Sequence, residues 1–231
     1  MDFKHLNLHN FPDLKAKTTA QGRRYFVEGN AYPSVTTVIG EKKKKSIVEW
    51  RRKVGDEEAN KISKRATTRG NKCHKLAEDY LSNKPLDRYR DDVLSLGLFH
   101  QIRPYIDRIN NIHALEESLY SHTLRLAGRV DCIAEYDEEL AIIDFKTSTK
   151  FKREEWIQDY FSQETAYAIM FQELTGLKVK QLVTIIAVET GTPQVFVKKD
   201  ILTYVPKLKE YIDYYRSCLL YTSPSPRDRV L

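Results

Sequence analysis

The spacing of apolar residues changes about halfway along the chain, and this change constrains the fold more than any other feature. Apolar residues from Val93 to Ile109 recur every three or four positions, which predicts a helix over about 88–111. Short β-prone runs follow instead. The predicted strands cover 116–124, 126–136, 140–146, 181–189 and 194–198, with helices at about 154–175 and from about 200 onwards. The order αβββαββα predicts an α/β (α+β) fold, a central sheet flanked by helices.

The first 85 residues are predicted to be mainly helical. Residues 21–33 read as a β-hairpin, and Ser34 is placed to cap a short helix. Two longer helices are predicted over 46–54 and 56–82. The sequence contains no internal repeat and no linker that divides it, so we expect a single domain.

Composition excludes several classes of protein. The 231 residues are enough for one large domain, and no apolar run approaches the roughly 18 residues of a membrane span. Residues 1–5 lack the apolar stretch of a secretory signal, and three cysteines without paired spacing argue against a disulfide scaffold. We therefore expect a cytoplasmic protein. The net charge of +6 permits an anionic partner such as nucleic acid.

The C-terminal residues are interpreted as foreign to the protein. Residues 218–228 read CLLYTSPSPRD, which matches one reading frame of a transposase-type sequencing adapter over eleven consecutive positions. We therefore expect 218–231 not to be native; the alternative is a natural disordered tail. The expected domain covers 1–217, with a helical region at about 30–85 and a core at 88–217.

Three acidic positions on three consecutive predicted strands carry the candidate chemistry, and either Glu116 or Glu117 opens the first of these strands. Asp131 ends the sequence GRVD, and Asp144 and Lys146 end the mostly apolar strand LAIIDFK. Alternation places Asp144 and Lys146 on one face, and a hairpin pairing can bring Asp131 beside Asp144. Two carboxylates this close repel each other unless a cation neutralises them, and an oxygen-rich site suits Mg²⁺ or Mn²⁺. The alternative is that these residues are the solvent-facing side of an amphipathic sheet.

Several motifs, in this order, resemble the PD-(D/E)XK nucleases of the RecB type. They are the helix element Gly70-x-x-x-His74-x-x-x-Glu78, residues 128–131 (GRVD), residues 142–146 (IIDFK) and the element Gln163-x-x-x-Tyr167. Within that branch, residues 33–36, 49–50 and 131–136 resemble the mitochondrial genome maintenance exonucleases and their phage-encoded relatives. Val130 replaces the leading proline of the family motif. The resemblance implies a restriction-endonuclease-like core with a mixed sheet, and an N-terminal helical arch at about 42–82.

The resemblance also implies roles for individual side chains. The implied metal ligands are His74, Glu116, Asp131 and Asp144, with Glu117 as a rival to Glu116. Lys146 is expected to act on the attacking water or the scissile phosphate. Gln163 is expected to hold the Lys146 neighbourhood in place, and Tyr167 to touch the substrate backbone. Trp156 and Tyr160 share their helix face, and we expect these two to pack in the core instead.

The expected substrate is DNA. Candidate phosphate contacts are Ser34, Thr36, Thr37, Arg69, Lys72, Lys150, Lys152 and Arg153, and candidate base contacts are Trp50, Tyr120 and Tyr160. The resemblance implies a monomeric, metal-dependent exonuclease that threads a free single-stranded end, in phage or host DNA replication, repair or recombination. The alternatives are an endonuclease of the same fold and a non-catalytic single-stranded DNA-binding module. An iron–sulfur cluster is not expected, because it needs four cysteines.

Overall fold

The computed structural model describes residues 2–6 and 8–222, and the side chains as far as residue 219. The described residues form two β-sheets and six α-helices. The strands are β1 (Ala16–Thr19), β2 (Gly22–Val27), β3 (Asn30–Pro33), β4 (Ile109–Ser121), β5 (Leu126–Tyr136), β6 (Glu139–Ser148), β7 (Gln181–Val188) and β8 (Gln194–Lys198). The helices are α1 (Val35–Glu41), α2 (Lys44–Val54), α3 (Asp56–Leu81), α4 (Val93–Ile106), α5 (Gln158–Thr175) and α6 (Val205–Thr222).

The larger sheet is mixed, with strand order β4-β5-β6-β7-β8. Only β6 and β7 are parallel neighbours, and α5 is the crossover that a parallel connection requires. Every residue of β7 is buried, because helices cover both faces of the sheet. This arrangement confirms the predicted fold class.

Alternating residues of the sheet face two separate hydrophobic layers. Ile142 packs on one side with Phe161 of α5, in a cluster that also includes α1 and α6. Its neighbour Ile143 packs on the other side with Leu76 of α3 and Phe99 of α4. The two-residue period of β6 therefore holds α5 and α3 on opposite faces of the strand that carries Asp144.

The boundary between α4 and β4 was predicted wrongly. The helix expected over about 88–111 ends at Ile106, and Ile109 already pairs with Tyr136 as the first residue of β4. Ile109 is buried in the strand. It also follows Ile106 by three residues, which is the spacing of one helix face, so the local pattern fits a helix as well as a strand. Long-range pairing with β5 decided between the two conformations.

The N-terminal hairpin and its cap are confirmed. Strands β2 and β3 pair as a hairpin, and Ser34 follows them as the N-cap of α1, where its Oγ accepts the N–H of Thr37 at 3.0 Å. At the other end α6 continues to Thr222. Residues 223–231 lie outside the described residues, so the non-native tail stays a prediction. Among the described helices, none is both long and apolar enough to cross a membrane.

Candidate active site

The pairing of β5 and β6 stops one residue short of the two predicted acids. The last backbone pair joins Cys132 and Ile143, and the same register continued by one residue places Asp131 opposite Asp144. At this point the backbone N–H of Phe145 donates to Oδ2 of Asp131 at 2.9 Å. The predicted hairpin pairing is thus confirmed, and the Asp131 carboxylate lies where the paired backbones end.

Three side chains from three different elements meet in front of this point. Nδ1 of His74 on α3 lies 3.2 Å from Oδ2 of Asp131, and potential ligand atoms of His74, Glu116 and Asp131 all lie within 4.8 Å of one another. They line an open cleft of about 420 Å³ between α3 and the sheet. One imidazole nitrogen with two carboxylates is a donor set that fits a divalent cation.

Glu116, and not Glu117, belongs to this cluster. Glu116 lies between the paired residues Leu115 and Glu117 of β4, opposite Asp131 in the register. Its φ of 55° is in the left-handed region. Non-glycine residues seldom adopt this conformation, and those that do are often found at functional sites. Glu117 instead lines a separate cavity with His113.

Asp144 is held by protein groups rather than by the cluster. Its side chain is 1% exposed and forms an ion pair with the ammonium group of Lys146. Nε2 of Gln163 donates to the other oxygen, Oδ1, at 2.9 Å. The Lys146 ammonium also lies 5.3 Å from the centre of the Tyr160 ring. The role of Asp144 as a metal ligand stays a prediction.

The pKa values of Glu116, Asp144 and His74 are all raised in the cleft, although the causes differ. Burial raises the pKa of Glu116 to about 7, and the neighbouring Asp131 adds to this shift. Burial also raises the pKa of Asp144 to about 6, although Lys146 opposes the shift. Burial would lower the pKa of His74, but the charge of Asp131 and its hydrogen bond raise it overall. The negative charge of Asp131 contributes to the raised pKa of both acids, and a cation bound among these carboxylates would offset that repulsion.

Sequence analysis missed Glu164, the residue after Gln163. Glu164 is fully buried, and Thr184 of β7 donates a hydrogen bond to its Oε1. Thr184 lies in register with Asp144 on the neighbouring strand. Burial, together with the charge of Asp144, raises the pKa of Glu164 well above its usual range. The sequence does contain a signal for this residue, because Glu164 is an acidic residue in a helix segment whose other residues are mostly apolar or small.

Two placements predicted for the face of α5 were wrong. Trp156 is 62% exposed, because it lies in a 3₁₀ turn before α5 begins at Gln158. Tyr167 is only 3% exposed and packs in the core. Its ring lies so close to Gly128 that a Cβ there would be 2.8 Å from Cε1 of Tyr167. A buried ring pressed against β5 is poorly placed to touch a substrate backbone.

The predicted phosphate contacts differ in accessibility. Arg69 is buried, and its guanidinium is held by Glu189 at 2.9 Å and by two threonine hydroxyls of β6 and the loop after it. Ser34 is buried as the cap of α1. Thr36, Lys72, Lys150 and Arg153 are exposed, whereas Thr37, Trp50, Tyr120, Lys152 and Tyr160 are half-buried. None of these placements tests DNA contact, which stays a prediction.

A nuclease site fits this arrangement, in which two neighbouring strands of a mixed sheet carry acidic side chains and a lysine, and a helix supplies a histidine. The family model for the PD-(D/E)XK nuclease superfamily matches residues 49–217. The chain belongs to this superfamily, and the resemblance carried by the sequence motifs is confirmed.

Curated relatives agree with this family. The chain is 27% identical over 181 residues to human Mitochondrial genome maintenance exonuclease 1, covering 72% of this chain and 52% of that protein. The Xenopus tropicalis protein of the same name is 25% identical over 194 residues, 78% of this chain and 55% of that protein. An ATP-dependent helicase/nuclease subunit of Clostridium botulinum is 30% identical over 105 residues, 44% of this chain and 8% of that protein.

The chain spans about half the length of the first two curated relatives that it matches. Among solved structures, a protein of Eubacterium rectale aligns with 12% identity and a TM-score of 0.46 over 66% of each chain.

Proposed function

We propose that this protein is a metal-dependent DNA exonuclease that prefers a single strand with a free end. The observation that carries the proposal is the cluster of His74, Glu116 and Asp131 beside the ion pair of the buried Asp144 with Lys146. Two relatives whose names contain the word exonuclease support digestion from an end.

The proposed cofactor is Mg²⁺ or Mn²⁺. The donor set of the cluster fits such an ion, with Asp144 as a further candidate ligand. When bound, a divalent cation supplies Lewis-acid polarisation of the scissile phosphate. The imidazole favours Mn²⁺ over Mg²⁺, since Mg²⁺ takes oxygen ligands almost exclusively.

The side chains around the cluster have separate tasks in this proposal. The Lys146 ammonium offsets negative charge that develops on the phosphate, and its ion pair with Asp144 keeps it in the cleft. Gln163 fixes the rotation of the Asp144 carboxylate through its hydrogen bond. Asp144 is buried, which strengthens both interactions of its carboxylate, whereas the Lys146 side chain remains 19% exposed.

The substrate contacts proposed for the chain lie outside the cleft. Thr36, Lys72 and Lys150 are exposed candidate phosphate contacts, although Lys72 pairs with Asp92 at 2.7 Å, and the half-buried Trp50 is a candidate base contact. Helix α2 has no buried residue, which supports an arch that projects from the core with α3. We also propose a monomer that acts in DNA replication, repair or recombination; a phage origin and a cytoplasmic location stay predictions.

The test uses linear single-stranded DNA labelled at either end and circular single-stranded DNA, each with Mg²⁺, Mn²⁺ or EDTA. We expect metal-dependent loss of the linear DNA with the circle intact. Lys146→Ala should cut at least about 100-fold more slowly. Lys209→Ala, which changes an exposed lysine of α6, should cut at the wild-type rate.

The other outcomes are equally informative. Cutting of the circle identifies an endonuclease, because a circle has no end to thread. A folded protein that binds single strands but cuts neither substrate with either metal is a binding module. Cutting in EDTA contradicts metal dependence.

A further inference from the structure

The loop between β6 and α5 exposes two large aromatic side chains. Phe151 is 63% exposed and Trp156 is 62% exposed, although each side chain has a large apolar surface. Leaving such rings in water forfeits roughly 1.5–3 kcal/mol per side chain relative to burial. Among the described residues few other large apolar side chains are as exposed, and Phe26, at 49%, is the next aromatic.

This exposure is not the result of a loosely held loop. The Gln194 side-chain amide bonds the backbone of Lys152 twice, accepting from its N–H at 2.7 Å and donating to its carbonyl at 2.8 Å. Ser148 donates to the carbonyl of Lys150 at 2.6 Å. Lys198 pairs with Glu154 at 2.6 Å, and Ile157 is buried directly after the turn. The backbone is thus fixed at several points while both rings face solvent.

An arginine of the same loop also holds the Trp156 ring in place. The Arg153 guanidinium lies 5.2 Å from the centre of the Trp156 ring, within the range of a cation–π contact. A ring that is held in place by a cation has lost part of its rotational freedom before any ligand binds, which lowers the entropic cost of stacking on it.

Charge and position indicate which ligand would cover these rings. The loop follows the strand that carries Asp144 and Lys146, so it starts beside the proposed active site. Lys150, Lys152 and Arg153 alternate with the aromatic residues, and Lys198 neutralises one of the two acids of the loop. Cations interleaved with exposed aromatic rings are the surface that holds single-stranded nucleic acid without sequence preference.

We propose that Phe151 and Trp156 form a stacking surface for unpaired bases of the strand that lies in the cleft. The inference rests on the proposed nuclease function and gives it a physical basis for strand preference. Bases in a duplex are already stacked on one another, so they gain little from these rings. An unpaired base gains a full stacking partner.

The test measures binding separately from cutting. Anisotropy of a labelled oligothymidylate is measured with the full chain in EDTA, so that no cleavage occurs if the enzyme needs metal. Phe151→Ala and Trp156→Ala should each weaken binding by about 5- to 100-fold, and Trp156→Phe should recover most of the loss. Phe26→Ala, which removes an exposed ring from β2, should leave the affinity unchanged.

An abasic oligonucleotide of equal length separates base stacking from phosphate contact. Removal of the bases should weaken wild-type binding, and the two alanine variants should then bind like the wild type. In a Trp50→Phe background, the remaining fluorescence of Trp156 should be quenched by oligothymidylate and not by the abasic strand. Both substitutions to alanine are at exposed positions, so a melting curve should show an intact fold.

The stacking surface is disproved if both alanine variants bind oligothymidylate within twofold of the wild type, or if their loss is equally large on the abasic strand. Binding is measured without metal, so it is independent of cutting. If the variants bind normally and the wild type cuts DNA, the stacking surface is disproved and the proposed nuclease function is not. Base-dependent binding by a wild type that cuts nothing supports the stacking surface and disproves the exonuclease.

Discussion

The side-chain amide of Gln163 donates a hydrogen bond of 2.9 Å to Oδ1 of the buried Asp144. This contact joins α5 to β6 across nineteen positions of sequence. It occupies one oxygen of the carboxylate and leaves the other to the Lys146 ion pair. The direction in which Asp144 presents its charge therefore depends on the helix as well as on its own strand.

Loss of this hydrogen bond should slow cutting without unfolding the protein. Gln163→Ala frees Oδ1 and lets the carboxylate rotate, so we expect the rate to fall by about 10- to 100-fold, as for other residues that orient metal ligands. Single-turnover cutting with Mn²⁺ measures this. Gln172→Ala, at an exposed position of the same helix, is the control. Equal rates for both variants would contradict the orienting role.

Glu116 should make the metal-free protein less stable as the pH rises. Its pKa is raised from 4.5 to about 7, so between these values the folded protein keeps a proton that the unfolded chain has lost. The free energy of unfolding should fall across this window by about 1–3 kcal/mol. Glu116→Gln should show a smaller fall. Melting temperatures in EDTA at pH 5 and pH 8 measure the difference. An equal fall in melting temperature for the wild type and Glu116→Gln would contradict the raised pKa of Glu116.

Substitution of Glu116 and of Glu117 should affect stabilisation by Mn²⁺ differently. At pH 8, Mn²⁺ should raise the melting temperature of the wild type, because it binds the folded cluster and not the unfolded chain. Glu116→Gln should lose most of this rise, whereas Glu117→Gln should keep it, since Glu117 lines a different cavity. A reversed result would exchange the roles of the two glutamates.

Arg69 and Arg65 share Glu189 but should respond differently to substitution. The Arg69 side chain is 8% exposed and that of Arg65 is 69% exposed. Arg69→Ala removes the buried donor of two hydroxyls and one of the two arginines that pair with Glu189, and should cost about 1–3 kcal/mol of folding stability. Arg65→Ala should cost less than about 1 kcal/mol. Urea unfolding compares the two, and a stable Arg69→Ala with weakened DNA binding would support the predicted role of Arg69 as a DNA contact and contradict the structural role.

Two glycine substitutions should change stability in opposite directions. Gly128→Ala places a Cβ 2.8 Å from Cε1 of Tyr167, so we expect a loss of about 1–3 kcal/mol. Gly97→Ala adds a methyl group to α4 with nothing within 4 Å, and should gain about 0.5–1 kcal/mol. Urea unfolding at one pH measures both. A neutral Gly128→Ala would mean that the Tyr167 ring moves aside easily.

Local patterns were sufficient for most elements of the core. Strands β5 and β8 have the predicted bounds, and β6, β7 and α5 differ from prediction only at their ends. Errors arose where a local pattern allowed two conformations, as at Ile109, or where a helix started later than expected, as at Trp156. Such boundaries depend on contacts with distant segments, which local periodicity does not contain.

The sequence by itself determined that Asp131, Asp144 and Lys146 lie on two neighbouring strands, because strand alternation and a short hairpin are local properties. Only the tertiary structure decided which glutamate joins them, that His74 approaches Asp131, that Arg69 is buried, and that Phe151 and Trp156 face solvent. Each of these depends on the register of β4 or on how helices and loops pack against the sheet. Those contacts join residues far apart in sequence, and their geometry is fixed only when the whole core is assembled.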